Sequence, residues 1–171
     1  GDIVSDGILF LNTKNITDQR LDLRDTQFIT EEKFKSLSRG KIQKGDLVIT
    51  LRGTLGACCI FDGAYDVAFI NAQMMIMRPR LEINSVFLHA MITSAAIQDK
   101  IQGSFTGAAV PQLTSGGIAQ LDLYRPPIEL QIRFSEIALM LQAHKRELCM
   151  SLSLVNDLLQ SLQQKGFSGA L

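Results

Sequence analysis

The stretch from Ile128 to Lys165 constrains this chain more than any other, because it holds one continuous helical apolar pattern with no glycine or proline to break it. Leu130, Phe134, Ile137, Leu141, Leu148, Val155, Leu158 and Leu162 recur by threes and fours, and His144 and Ser151 fill the two seam positions between them. Pro126 and Pro127 set a sharp start, since proline is tolerated in a first turn but cannot continue a helix backward. Gly166 after Lys165 supplies a C-terminal stop, with the cation near the negative end of the helix dipole. Such a rod is roughly 55 Å long, more than the diameter of a domain of this size.

A solitary helix with an apolar seam is marginal in water, because helical stability comes mostly from packing that seam. Length and heptad-like spacing therefore predict a coiled coil, and for the isolated chain a homodimer through this helix. The plainer alternative is a helix packed across its own domain. His144 and Ser151 read as polar seam residues that restrict register, not as ligands.

Ahead of the helix there is material for one compact domain. Hydrophobic residues make up 46% of the chain and charged residues 20%, which is globular and not disordered composition. Lys+Arg and Asp+Glu both number 17, so bulk charge does not announce a nucleic-acid partner. Distribution is more telling: Lys33, Lys35, Arg39, Lys41, Lys44 and Arg52 are opposed locally by Asp46 alone, and Arg78 and Arg80 add a second cluster. The bland alternative is a solvated basic face. Cys58, Cys59 and Cys149 have no metal-ligand spacing and fit a reducing cytosol, hence a cytoplasmic protein without disulfides. No apolar run of membrane-spanning length occurs, so no membrane partner is expected. Gly1 in place of an initiator methionine suggests a piece of a longer protein.

The first half reads as strands and tight turns. Gly7 to Leu11 is an apolar run followed by the polar loop Asn12 to Asn15, and Thr30 caps a short helix reaching Leu37. Lys44-Gly45-Asp46 is a turn; Leu47 to Leu51 and Ala57 to Phe61 form a hairpin around the polar tip Arg52-Gly53-Thr54-Leu55-Gly56. Val67 to Ile70 and Met74 to Met77 are strands flanking Asn71-Ala72-Gln73. Val86 to Ile101 has helical spacing, Gly103 to Gly117 has loop composition, and Leu121 to Tyr124 offers a last strand.

No active site assembles from these residues. His89 and His144 lack a carboxylate or cysteine at a ligand offset, and the acid pairs Asp2 with Asp6 and Glu31 with Glu32 read as solvated surface. The glycine-containing runs at Gly53 to Gly56 and Thr106 to Ala109 match neither a phosphate-binding loop nor a dinucleotide fingerprint. Neither metal nor cofactor is expected, and no catalytic residue is assigned.

The order of the pieces nevertheless resembles a known family. Gly7-Ile8-Leu9-Phe10-Leu11-Asn12-Thr13-Lys14-Asn15-Ile16 is followed by Lys44-Gly45-Asp46-Leu47-Val48-Ile49-Thr50 with Arg52-Gly53-Thr54-Leu55-Gly56. Then come Asn71-Ala72-Gln73 with Met77-Arg78-Pro79, Pro126-Pro127-Ile128-Glu129-Leu130-Gln131, and the close Gly166-Phe167-Ser168-Gly169-Ala170-Leu171. This sequence of motifs is similar to the specificity subunits of type I restriction-modification enzymes. It departs from them at Gly166 and Ala170, where that family commonly has Ala and Glu.

The resemblance implies an α+β protein: a mixed, mostly β target recognition domain over residues 1–126, a spacer helix over 127–166 in an antiparallel coiled coil with a partner helix, and a tail over 167–171. It implies a non-catalytic subunit that reads one half of a bipartite sequence in double-stranded DNA. Methyltransferase subunits would dock on it and a restriction subunit would join through the complex. Lys14, Asn15, Arg52, Gly53, Thr54, Asn71, Gln73, Thr106 and Gln112 are the candidate DNA-binding residues. Their chemistry suits the task, since Arg reads guanine, Asn or Gln reads adenine, and glycine admits a close backbone approach. Two other readings stand beside this one: a coiled-coil scaffold that binds no nucleic acid, and the recognition segment of a fused restriction-methylation enzyme.

Overall fold

The computed structural model describes residues 3–103 and 112–168, which form two compact units, Gly1–Gln131 and Ile132–Leu171. In chain order the first unit runs β1 (Ile3–Val4), β2 (Ile8–Leu11), a single 3-10 turn (Thr13–Asn15), β3 (Ile16–Thr17), β4 (Arg20–Leu21) and β5 (Gln27–Ile29). It continues through α1 (Glu31–Ser36), β6 (Lys41–Gln43), β7 (Leu47–Thr50), β8 (Cys58–Ile60), β9 (Val67–Ile70), β10 (Met74–Met77), α2 (Ser85–Ile92), α3 (Ala95–Gly103) and α4 (Ser115–Ala119). Last is α5 (Ile128–Phe167).

The strands divide into a five-stranded sheet ordered β1-β5-β2-β9-β6, a three-stranded sheet ordered β10-β7-β8, and the β3-β4 ribbon. Within the larger sheet β2 and β9 are parallel, with Leu11 level with Ile70, so both strands end on the same side. The expected hairpin is present as β7 against β8, pairing Leu47 with Ile60 and Ile49 with Cys58.

Strand alternation explains why Leu47, Val48, Ile49 and Thr50 are all buried. Val48 joins Leu9, Leu11, Ile42, Cys59, Phe61, Ala68 and Ile70 in a core between the two sheets. Leu47 and Ile49 point the other way, into a second core with Cys58, Ile92, Ile97, Ile101 and Leu113 from the helical layer. The small sheet is thus the middle of three layers, and the adjacent cysteines face one core each.

Local chemistry sets several element ends. Thr30 caps α1, accepting the Lys33 backbone N–H at 3.2 Å. The Asp18-Gln19 tip of the β3-β4 ribbon has positive φ at both residues, which non-glycine residues adopt only when the surroundings hold them. Here the Gln19 side-chain oxygen accepts the Cys58 N–H at 2.7 Å, and His89 donates from Nε2 to the Gln19 carbonyl at 2.9 Å. His89 is therefore structural.

Three expectations between Val86 and Tyr124 give way. The helical stretch Val86 to Ile101 is two helices: Thr93 Oγ1 donates to the His89 carbonyl and Ser94 Oγ to the Met91 carbonyl, closing α2, and Ser94 then accepts Gln98 N to open α3. The loop composition of Gly103 to Gly117 hides a short helix, with Gly103 the last residue of α3 and Thr114 capping α4. Leu121 to Tyr124 forms no strand; Leu121 and Leu123 instead pack against the helix-side core.

The first turn of α5 belongs to the first unit. Gln131 is fully buried; its side-chain amide donates to the Pro126 carbonyl at 2.8 Å and the Glu82 carbonyl at 3.1 Å and accepts the Asn84 N–H at 3.0 Å. In the second unit α5 passes through Gly166 to Phe167, with Ser168 N donating to the Gln164 carbonyl, so the expected glycine stop is overrun. Every predicted seam residue is exposed, from Phe134 at 43% to Leu148 at 71%. Leu152 and Leu159 are exposed beside Leu148, Val155 and Leu162, a second row at the same three-four spacing that widens the apolar stripe in the C-terminal half.

Candidate nucleic-acid interface

Polar loops from distant parts of the first unit are tied to one another by backbone hydrogen bonds. Where β2 and β9 end side by side, Asn71 N donates to the Leu11 carbonyl at 3.0 Å. The turn Asn71 to Gln73 is bonded in its turn to the hairpin, Leu51 N donating to the Gln73 carbonyl at 2.7 Å. Leu113 N then donates to the Leu51 carbonyl at 3.0 Å, which brings Gln112 alongside. An open groove of about 780 Å³ lies here, with Leu51, Phe69, Met74 and Ile76 in its lining and Arg39, Asn71, Gln112, Thr114 and Ser115 among its polar members.

The predicted residues take different places in this arrangement. Arg52 is exposed at the hairpin tip, and its Nη2 donates to the Gln112 Oε1 at 2.9 Å across sixty residues of sequence. Gly53 and Thr54 are exposed beside it. Gly53 has φ +79° with nothing within 4 Å of where a Cβ would stand, so the turn and not a neighbour asks for glycine there. Gly56 differs: a Cβ would meet Ile101 at 3.0 Å and Gln98 at 3.2 Å, so its small size serves the seating of α3.

Asn71 is half-buried, and its side-chain oxygen accepts the Gln73 N–H at 3.0 Å, which shapes the turn and leaves the Gln73 side chain exposed. Lys14 is exposed on the loop that leaves β2. Its neighbour Asn15 is not a surface residue. At 2% exposure it accepts Asn12 N at 3.0 Å and donates to the carbonyls of Asp22 and Asp25 at 3.0 and 2.9 Å. Every hydrogen-bonding group of that amide is committed to the fold, so Asn15 holds the loop in shape while Lys14 is presented. Thr106 lies outside the described residues.

The basic run between Lys33 and Arg52 is sorted by the fold. Lys35 pairs with Glu31 at 3.1 Å, Lys44 with Asp66 at 2.8 Å, and Lys41 sits 4.8 Å from the centre of the Phe34 ring. Asp46, the local acid, is buried and bound by Arg78 through two contacts of 2.7 Å. Arg39, which the residue pattern alone did not single out, lies on the groove with Asn71 and Gln112. Its signal was membership of the basic cluster; its position follows from Ile70 N donating to the neighbouring Gly40 carbonyl at 2.9 Å. Among the described residues, no group of three or more His, Cys, Asp or Glu is arranged to hold a metal ion, and no helix is long and apolar enough to cross a membrane.

No family model matches the chain. Among curated proteins it aligns at 26% identity over 175 residues with the type I restriction enzyme EcoBI specificity subunit of Escherichia coli, covering 100% of this chain and 37% of that protein. The chain thus spans little more than a third of the relative it matches. Among solved structures, the HsdS subunit from Thermoanaerobacter tengcongensis superposes with a TM-score of 0.62 at 18% identity, over 98% of this chain and 39% of that one. A chain from a structure described as the basis of complex assembly and conformational transition of the type I R-M system gives 0.66 at 19% identity, over 98% and 40%. The resemblance read from the motifs is borne out, and with it the α+β fold ending in a long helix.

Proposed function

We propose that this chain is a non-catalytic DNA-recognition subunit, or the recognition half of one, from a type I restriction-modification system. In this reading the first unit reads one half of a bipartite duplex sequence. Helix α5 pairs antiparallel with the same helix of a second copy and docks methyltransferase subunits, and the restriction subunit joins through the complex. The setting is the cytoplasm.

The observation that carries the reading is a relay of backbone hydrogen bonds from Leu11, just before the Asn12 to Asn15 loop, to Asn71, from Gln73 to Leu51 beside Arg52, and from Leu51 to Leu113 beside Gln112, with Leu51, Asn71 and Gln112 lining one groove. Loops that are far apart in sequence, polar, and anchored on sheet ends are what a base-reading surface needs. Phosphate contacts set position, and side chains on rigid mounts discriminate base edges. Lys14 and Arg39 are suited to phosphate contact, whereas the exposed Gln73 carries the paired donor and acceptor that match adenine. The exposed seam of α5, widened by Leu152 and Leu159, offers apolar surface for more than one helix, which supports pairing and docking together.

The test is duplex binding by this chain assembled with a type I methyltransferase subunit. Affinity should fall steeply with salt, and Lys14→Ala and Arg39→Ala should each flatten the log-log salt dependence by about one. Binding and methylation left unchanged by Lys14→Ala and Arg52→Ala together would refute the assignment of this face.

A further inference from the structure

Resting on the DNA-recognition reading, we infer that Arg52 is a guanine-reading arginine whose aim is set by Gln112, so that the half-site of this chain contains a G·C pair recognised through the guanine. Arg24, Arg78 and Arg125 are each held by a carboxylate: Asp22, Asp46 and Glu82 respectively. Arg52 is held by a neutral amide oxygen instead. Its orientation is fixed while its charge is left whole.

The donor geometry follows. A guanidinium carries five N–H donors in a planar fork, and Gln112 engages Nη2. One hydrogen bond of this kind leaves a complete two-donor edge free, and that edge matches the O6 and N7 acceptors of guanine in the major groove. The buttress is itself anchored: Leu113, next to Gln112, is 2% exposed in the helix-side core and its N–H is bound to the Leu51 carbonyl at 3.0 Å. Leu51 immediately precedes Arg52, so the reader and its support are both pinned to the end of β7. An untethered arginine loses rotamer freedom when it engages a base, and a tethered one has already given up much of it. Gly53, next to Arg52, adds no side chain, and nothing stands within 4 Å of where its Cβ would be.

The experiment is selection from a library of duplexes with randomised cores, using the full chain assembled with methyltransferase. Wild type is compared with Arg52→Ala, Arg52→Lys, Gln112→Ala and Gln112→Glu. Wild type should select a motif with a guanine, and Arg52→Ala should lose roughly ten- to hundredfold preference at that base pair while the rest of the motif persists. Arg52→Lys should not restore it, because an ammonium lacks the fork. Gln112→Ala should weaken preference at the same base pair by a smaller factor. Gln112→Glu, which keeps an acceptor, should recover the preference while lowering affinity for every duplex.

Replacing that guanine by 7-deazaguanine should weaken wild type and leave Arg52→Ala unaffected. A uniform loss across all sequences in Arg52→Ala, with a salt slope flatter by about one, would make Arg52 a phosphate contact and overturn this inference while the DNA-recognition reading survives. Equal loss at every position in Gln112→Ala would overturn the positioning role. Selection of no motif at all by wild type would overturn both readings.

Discussion

The two units of this chain handle the same kinds of residue in opposite ways. In the first, Leu9, Leu11 and Leu47 are wholly removed from solvent, and most of the cations between Lys33 and Lys44 have partners within the unit. In the second, Leu148 is 71% exposed and Leu141 63%, along with the rest of a seam that repeats by threes and fours. The first builds two buried cores of its own, with isolated apolar residues such as Leu81 and Tyr124 left on its surface. The second carries an apolar stripe that only a partner would cover: burying a leucine is worth about 1.5 to 3 kcal/mol, and this helix leaves many of them in water, as the proposed pairing requires. In the proposed reading recognition is separate from assembly: changes on the groove should alter what is bound, and changes on the helix should alter with whom.

The sharpest way to break that contrast is to charge the seam. Leu148→Asp in the full chain should shift sedimentation from dimer to monomer, with dimer dissociation weakened at least ~100-fold, about 3 kcal/mol, since each copy would present a carboxylate to an apolar partner. The first unit should keep its denaturation midpoint. Next in size is Arg78→Ala, which strips the cation from buried Asp46 and leaves its carboxylate bonded to the Gln43 N–H; because Arg78 is itself half exposed, the expected loss is about 2 to 3 kcal/mol in urea unfolding, below the full cost for a buried pair.

Neighbouring residues sharpen the comparison further. Asn15→Ala should cost about 1 to 3 kcal/mol of stability, because it removes a buried side chain that bonds the Asn12 N–H and the carbonyls of Asp22 and Asp25. Lys14→Ala should leave stability within about 0.5 kcal/mol and show itself only in DNA affinity and its salt dependence. The smallest effect concerns thiols. Burial pushes the Cys59 thiol up to about 12 and raises Cys58 still higher, so neither supplies thiolate near neutral pH. Alkylation of the native chain at pH 7.5, followed by peptide mapping, should label the exposed Cys149 and spare the other two.

Much of this division was legible in the residues themselves. Pro126-Pro127 and the uninterrupted seam fixed α5 at its start, and alternation with glycine punctuation located the β7-β8 hairpin, β9 and β10. What escaped was contact-dependent. Thr93 and Ser94 look harmless in an amphipathic pattern, yet their hydroxyls cap backbone carbonyls and split the helix. Leu121 and Leu123 alternate like a strand but are used as plugs for a core. Asn15 and Lys14 are equally polar in sequence, and only the chain returning at Asp22 and Asp25 assigns one to the interior. The Arg52 to Gln112 contact spans sixty residues, beyond the reach of any local pattern.

In the proposed assembly a base-reading unit is doubled by its own helix. Two copies related by a two-fold axis must read the same half-site in inverted orientation. The direct measurement is base-resolution mapping of DNA methylation in cells supplying a type I methyltransferase, with and without this chain. The account predicts a new methylated motif made of two inverted copies of one half-site at a fixed separation, abolished by Leu148→Asp. An unchanged methylation pattern, or a single uninterrupted motif indifferent to that substitution, would contradict it.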